Sequence, residues 1–333
     1  MRIALKPRHF IFACTVVAVT TLVPLAAWLG YISLSLPPVD FLADPAVSFR
    51  ISVLDWEGNS RPFTVGPANP HWTPLDGAPQ SLRSAVVVAE DFNFYHHRGV
   101  DWFEVWEAVK RDVRERRFAR GASTISQQLA KNLFLTRDRT LSRKARELFL
   151  TRRLERTLSK DRILELYLNV VELGPLVYGV GHAAEHYFGR PLADITLRES
   201  TFLAAMLPGP RVLDPRRAMD RVMERSDRIL ATLARAEKIT EDQYRSALLE
   251  LPVPRGMDRD ELLKMVPERV AVAPPVLEPE VTWTTEPIMP RHPGPDPIRD
   301  EFGPAKSSPS SHGWRDLLPP PPLEKDPRLP SGR

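Results

Sequence analysis

Hydrophobic and polar positions divide the chain into three stretches with different patterns. From Phe10 to Leu29 there are twenty residues without a charge, long enough to cross ~30 Å of hydrocarbon as a helix. Ser48 to Trp56 partly alternates, and Glu57-Gly58-Asn59 supplies turn residues, which predicts a short hairpin. From Gln80 the pattern becomes helical. Asp101 can cap a helix that places Trp102, Trp106, Val109 and Val113 on one face. Thr124 and Gln127 have capping-box spacing ahead of Leu129 and Leu133. Leu141, Ala145, Leu148, Phe149 and Leu154 predict the next helix. Ser159 and Asp161 suit the start of another, with Ile163, Leu164, Tyr167, Leu168 and Val171 as its buried stripe and Gly174-Pro175 as its stop. Thr196 with Glu199, and Thr240 with Gln243, repeat the capping-box spacing. Pro208-Gly209-Pro210 ends the first of these two helices, and the second ends near Leu251. After Leu251 the composition shifts, since nineteen of the 34 prolines fall in the last 82 residues. Such a segment has too few apolar residues for a core, so a disordered or polyproline-type tail is expected.

Charge changes the picture at both ends of the helical region. Arg2, Lys6 and Arg8 precede the apolar run, so the short amino-terminal tail should remain cytoplasmic and the rest be exported. Trp28 and Tyr31 lie where an aromatic belt would sit. The competing reading is a signal peptide cleaved near Ala26-Ala27, but the run is longer than the usual signal core and further apolar residues follow it. The one cysteine, Cys14, lies inside the run, so an intrachain disulfide and a Cys-based metal site are both out of reach. Between residues 110 and 160 there are sixteen Lys or Arg against five Asp or Glu. That balance suits a site that holds an anion while a carboxylate does acid–base work, and it equally suits a polar helical surface.

The order of the motifs decides between those two. Glu90, Asp91, Phe94, His97, Gly99 and Asp101 form one set. Gly121, Ser123, Thr124, Ile125, Gln127, Gln128, Leu129, Lys131 and Asn132 form a second, and Arg143, Lys144 and Glu147 a third. Ile163-Leu164-Glu165, Tyr167-Leu168-Asn169, Gly174 and Tyr178-Gly179 make a fourth, and Leu197, Glu199, Leu203, Ala204, Pro208 and Pro210 a fifth. In this order the segment from about Trp72 to Pro215 resembles the peptidoglycan glycosyltransferases of glycosyltransferase family 51. Ala122 and Ser126 stand where the family usually has Gly and Thr, and Thr151 where it usually has Ala.

The resemblance implies a mainly all-α, lysozyme-like glycosyltransferase domain with a small β-hairpin, following one amino-terminal transmembrane helix. It also implies polymerisation of lipid II. In that reaction a base takes the proton from the acceptor 4-hydroxyl as it attacks C1 of the donor chain, and cations absorb the charge on the departing pyrophosphate. By resemblance Glu90 is the base and Glu147 the second carboxylate, on the pyrophosphate side. Lys131, Arg139 and Lys144 match positions that grip phosphates, and Gln128 matches a substrate-contacting one. Asp91, Ser123, Thr124, Asn132 and Arg143 complete the expected substrate-binding set. His97 reads as structural, and Glu165 and Glu199 as surface or capping residues. The Trp102-to-Val113 face is either core or a membrane-seated flap. No residue pattern calls for a structural metal or another certain cofactor; a divalent cation such as Mg²⁺ beside the pyrophosphate remains an option.

The expected layout is a cytoplasmic tail over 1–9, a transmembrane anchor over 10–32 and a linker over 33–46. The glycosyltransferase domain covers 47–251 and the Pro-rich tail 252–333. No transpeptidase signature follows Leu251, so the expected partners are lipid II with the growing glycan strand, the cytoplasmic membrane and wall-synthesis proteins including a separate transpeptidase. Nucleic acid is not among them. The expected location is the bacterial inner membrane, crossed once, with the domain on the periplasmic face. Two rival readings are a lysozyme-like lytic enzyme and a catalytically idle scaffold that binds lipid II.

Overall fold

The computed structural model describes residues 7–266 apart from Trp56, 116–122, Arg137, Arg139 and Pro208. Its first element is α1 (Pro7–Leu34), whose stretch Thr15–Leu34 is long and apolar enough to cross a membrane and is almost entirely unburied. A 28-residue helix is about 42 Å long at ~1.5 Å per residue, more than a bilayer core needs. The end of α1 therefore has residues to spare, and these dock on the domain. Ile32 and Leu36 are buried. The guanidinium of Arg153 donates to the Ser33 carbonyl at 2.6 Å and to those of Leu36 and Pro37 at 3.2 Å. One side chain thereby satisfies carbonyls that the helix end leaves without intrahelical partners. Arg162 continues the strap by donating to Leu42 O at 2.9 Å.

The expected hairpin is present as antiparallel strands β1 (Phe49–Leu54) and β2 (Ser60–Val65). Asp55 Oδ1 accepts the Glu57 and Asn59 amides and so shapes the turn. The rest is helical: α2 (Gln80–Glu90), α3 (Trp102–Glu115), α4 (Ile125–Phe134), α5 (Leu141–Thr157) and α6 (Lys160–Val170) come first. A two-strand ribbon, β3 (Glu172–Gly174) with β4 (Val177–Tyr178), then leads to α7 (Val180–Phe188), α8 (Leu197–Met206), α9 (Pro215–Arg235), α10 (Glu241–Leu249) and α11 (Arg259–Met265). The capping boxes at Thr124, Thr196 and Thr240 form with Gln127, Glu199 and Gln243 as their spacing predicts. α2, α8 and α9 pack on one another, and α4 packs between α5 and α6. Leu82, Val86, Leu129, Leu150, Ile163, Phe202 and Met219 lie in one continuous core between them.

One expected boundary moves. The packed chain does not end at Leu251: Pro252 and Pro254 are buried, and Arg255 N donates to Tyr187 O at 2.5 Å. Leu262 and Val266 bury their side chains, with α11 against α9. Leu262 lies on α11 and Val266 caps its end, and a seven-residue helix gains its stability from the surface beneath it rather than from its own propensity. The remainder of the expected tail, 267–333, lies outside the described residues.

Candidate active site

Glu90 is the last residue of α2, and its side chain is only 7% exposed. Two helices distant in sequence supply its partners. Gln128 Nε2 on α4 donates to Oε2 at 2.9 Å, and Arg225 Nη2 on α9 lies 3.4 Å from Oε1. Gln128 is oriented in turn by the buried Tyr167 on α6, whose hydroxyl donates to its Oε1 at 3.2 Å. Burial pushes the Glu90 carboxyl above the usual carboxylate range; the Gln128 hydrogen bond and the charges of Arg225 and Lys131 pull against that, and Asp91 adds to it. A carboxylate raised toward neutral pH but still pinned by donors is suited to accept a proton.

Asp91 has a different position. Its Oδ1 and Oδ2 lie 2.9 and 3.0 Å from His97 Nε2, and Oδ2 also accepts the Ile125 amide at 2.9 Å, at the amino end of α4. His97 Nδ1 accepts the Gly99 amide, so the ring proton lies on Nε2 and points at Asp91. Gly99 O accepts the Thr124 hydroxyl at 2.6 Å. Gly99 itself has φ +93°, and a β-carbon there would stand 2.8 Å from Thr151 Cγ2. The Asp91-to-Gly99 loop thus ties the end of α2 to the start of α4, which is what brings Gln128 to Glu90.

Lys131 lies one helical turn beyond Gln128 on the same face of α4. Although it still reaches solvent, crowding by protein and the neighbouring cations Arg143 and Lys144 pull its pKa below that of an ordinary lysine. Glu147 and Glu90 oppose that shift, so this one ammonium feels both carboxylates. On α5, buried Glu147 accepts from Arg143 Nη1 at 2.5 Å and from Lys144 Nζ, pairs set by i, i+4 and i, i+3 spacing. Both Glu147 oxygens are therefore engaged by cations. The surroundings make an anion-binding cluster rather than the oxygen cage that Mg²⁺ prefers, and no step below passes through a metal.

A cleft of about 210 Å³ opens beside Glu90, lined by Val88 to Phe92, Asp101, Glu104, Ser123 and Thr124. Ser123 is exposed there, whereas the Thr124 hydroxyl is spent on the loop. Asn132 follows Lys131 on α4 and is half-buried. Gly121, Ala122 and the expected phosphate ligand Arg139 lie outside the described residues. Trp102, Phe103, Trp106 and Val109 on α3 are exposed, so the face left open between core and flap is not core. Arg225 and Tyr167 lie outside the expected catalytic and substrate-binding set. For Arg225 the available signal was the stripe Met219, Val222, Met223, Ser226, Ile229, Leu230 after Asp214-Pro215, which marks α9 and its core-facing side.

Residues 60–234, the stretch that carries every one of these side chains, match the family Transglycosylase. The chain belongs to the transglycosylase family. It is 42% identical over 166 residues to a biosynthetic peptidoglycan transglycosylase of Herminiimonas arsenicoxydans, covering 50% of this chain and 72% of that protein. It is 37% identical over 214 residues to penicillin-binding protein 1A of Escherichia coli K12, covering 64% of this chain but 25% of that one. A crystal structure of penicillin-binding protein 1A from Haemophilus influenzae is similar at 22% identity and a TM-score of 0.34, over 67% of this chain and 24% of that one. Transglycosylase membership agrees with a mostly helical domain that places a buried carboxylate beside a cationic cluster.

Proposed function

We propose that this protein is a membrane-anchored peptidoglycan transglycosylase that polymerises lipid II into linear glycan strands. Glu90 removes the proton from the acceptor 4-hydroxyl as that oxygen attacks C1 of the donor chain. The attack inverts C1, and undecaprenyl diphosphate departs. Lys131, Arg143 and Lys144, with Arg139, hold the pyrophosphate and take up its developing charge, and Glu147 keeps the cations on α5 in place. The observation that carries this reading is that Gln128 on α4 holds buried Glu90 at 2.9 Å while Lys131 stands one turn further along the same face, where both Glu90 and Glu147 act on its charge. A cation there can bridge the proton-accepting end of the site to the leaving-group end. Gln128 aims the base, Asp91 braces the loop that positions it, and Ser123 and Asn132 contact the sugars.

Labelled lipid II incubated with the purified, detergent-solubilised protein should be converted to polymer, with and without Mg²⁺. Cleavage of preformed strands instead would favour a lytic enzyme, and binding without turnover an idle scaffold. The donor and acceptor sugars reach the site from a membrane, which suits a protein whose α1 is compatible with inner-membrane anchoring. Because Arg2, Lys6 and Arg8 precede the apolar run that begins at Phe10, we place the domain on the periplasmic face, where a separate transpeptidase would cross-link the strands. Protease added to spheroplasts should digest the domain; its survival in intact spheroplasts would overturn that orientation.

A further inference from the structure

Glu90 meets a set of influences that all favour its neutral form. It lies at the carboxyl end of α2, where the helix carries partial negative charge. Asp91 follows it, Tyr167 faces it from α6 without a charge, and the surrounding protein removes water. A protonated carboxyl cannot act as a base, so some group must hold the ionised form. Gln128 contributes a hydrogen bond but no charge. Lys131 contributes charge, yet it is shared with Glu147 and, when substrate is bound, with the pyrophosphate.

We propose that Arg225 is the positioning residue for the base: its guanidinium, 3.4 Å from Glu90 Oε1 and 3.5 Å from Ala89 O, holds the carboxylate ionised and aimed while Lys131 serves the leaving group. This rests on the reading of Glu90 as the base. Arg225 suits the task because it is not among the cations proposed to hold the pyrophosphate. It projects from α9 to Oε1, whereas α4 reaches Oε2 through Gln128, and its side chain is 28% exposed. A guanidinium stays charged across the working pH range. Its backbone contact to Ala89 also grips the last turn of α2, so the same group that sets the charge sets the direction of the side chain. When pyrophosphate neutralises Lys131, Arg225 keeps Glu90 from being protonated at the moment it is needed.

The test is the pH dependence of lipid II polymerisation for wild type, R225Q, R225K and E90Q. A base works when deprotonated, so the rate falls as pH drops through its pKa. An opposite charge at this range lowers a carboxyl pKa by about one to three units. Removing it in R225Q should raise the acid limb by about one pH unit or more. The variant should then be about tenfold slower than wild type below both limbs and close to wild type above them. KM for lipid II should change little, because the phosphate cations are untouched. R225K, which keeps the charge on a less well-shaped head, should fall between the two, and it carries the same test if R225Q does not fold. A loss equal at every pH, or one confined to KM, would assign Arg225 to structure or substrate binding and overturn the proposal while leaving the base in place. An active E90Q, or an inactive wild type, would overturn the base assignment itself and this inference with it.

Discussion

Glu90→Gln should lower lipid II turnover by about 100- to 10,000-fold, the scale on which a positioned general base contributes. The amide keeps the size and one acceptor oxygen, so Gln128 can still donate to it, but it cannot take a proton. Lipid II binding should persist, because Lys131, Arg143 and Lys144, the residues proposed to hold the pyrophosphate, lie on α4 and α5 rather than α2. Binding could even tighten, since Arg225 and Lys131 lose an anionic neighbour and are left with more positive potential for the substrate. The measurement is polymer yield per unit time beside lipid II binding by the same preparation. Near-wild-type turnover would move the base to another residue; lost binding with lost turnover would mean that Glu90 shapes the site rather than accepting the proton.

Asp227→Asn should destabilise the domain by about 3 kcal/mol. Arg198 on α8 is fully buried, and its Nη1 lies 2.7 Å from Asp227 Oδ1 on α9. Ser226 Oγ at 3.2 Å and Met223 Sδ at 3.6 Å give it polar contacts but no negative charge. Removing the carboxylate takes away the 2.7 Å ion pair that this buried guanidinium makes with α9. Because Asp227 is itself 32% exposed, the expected cost lies at the low end of the range for breaking a buried pair. For a domain of this size that corresponds to a midpoint about 6–12 °C lower in thermal unfolding. Adding Arg198→Met should restore much of the loss by removing the buried charge. An unchanged midpoint in the single variant would show that water or another group already compensates Arg198. The pair matters to the site because Arg225 stands two residues before Asp227, on the helix that it clamps.

What could be read from the sequence was local. Thr124 with Gln127, Thr196 with Glu199 and Thr240 with Gln243 announce helix starts because a capping box is complete within four residues. The hairpin at Phe49–Val65 was legible for the same reason. Glu147 with Arg143 and Lys144 shows its pairing through helical spacing alone. Motif order supplied the family and the fold, yet it could not bring Glu90 to Arg225, since that contact joins residues 135 positions apart. It gives Glu90 and Asp91 different expected roles, but not the partners that part them. The two are neighbours in sequence, but the turn out of α2 sends one toward the cations and the other toward His97 and the start of α4. The segment 252–266 was misread because proline content reports local stiffness, whereas the burial of Pro252, Pro254 and Leu262 depends on a surface built elsewhere.

The strap between Arg153 and the end of α1 makes the anchor a mount rather than a leash. A flexible tether would let the domain tumble above the membrane and meet its substrate in any orientation. Here the carbonyls of Ser33, Leu36 and Pro37 are held by the helix that also carries Arg143, Lys144 and Glu147. With α1 in a bilayer, Arg153, Arg162 and the buried Ile32 and Leu36 together restrict how the cationic cluster can stand over the surface. A lipid-linked donor moving in the plane of that membrane would then meet the cluster over a narrower range of orientations than a freely tethered domain offers.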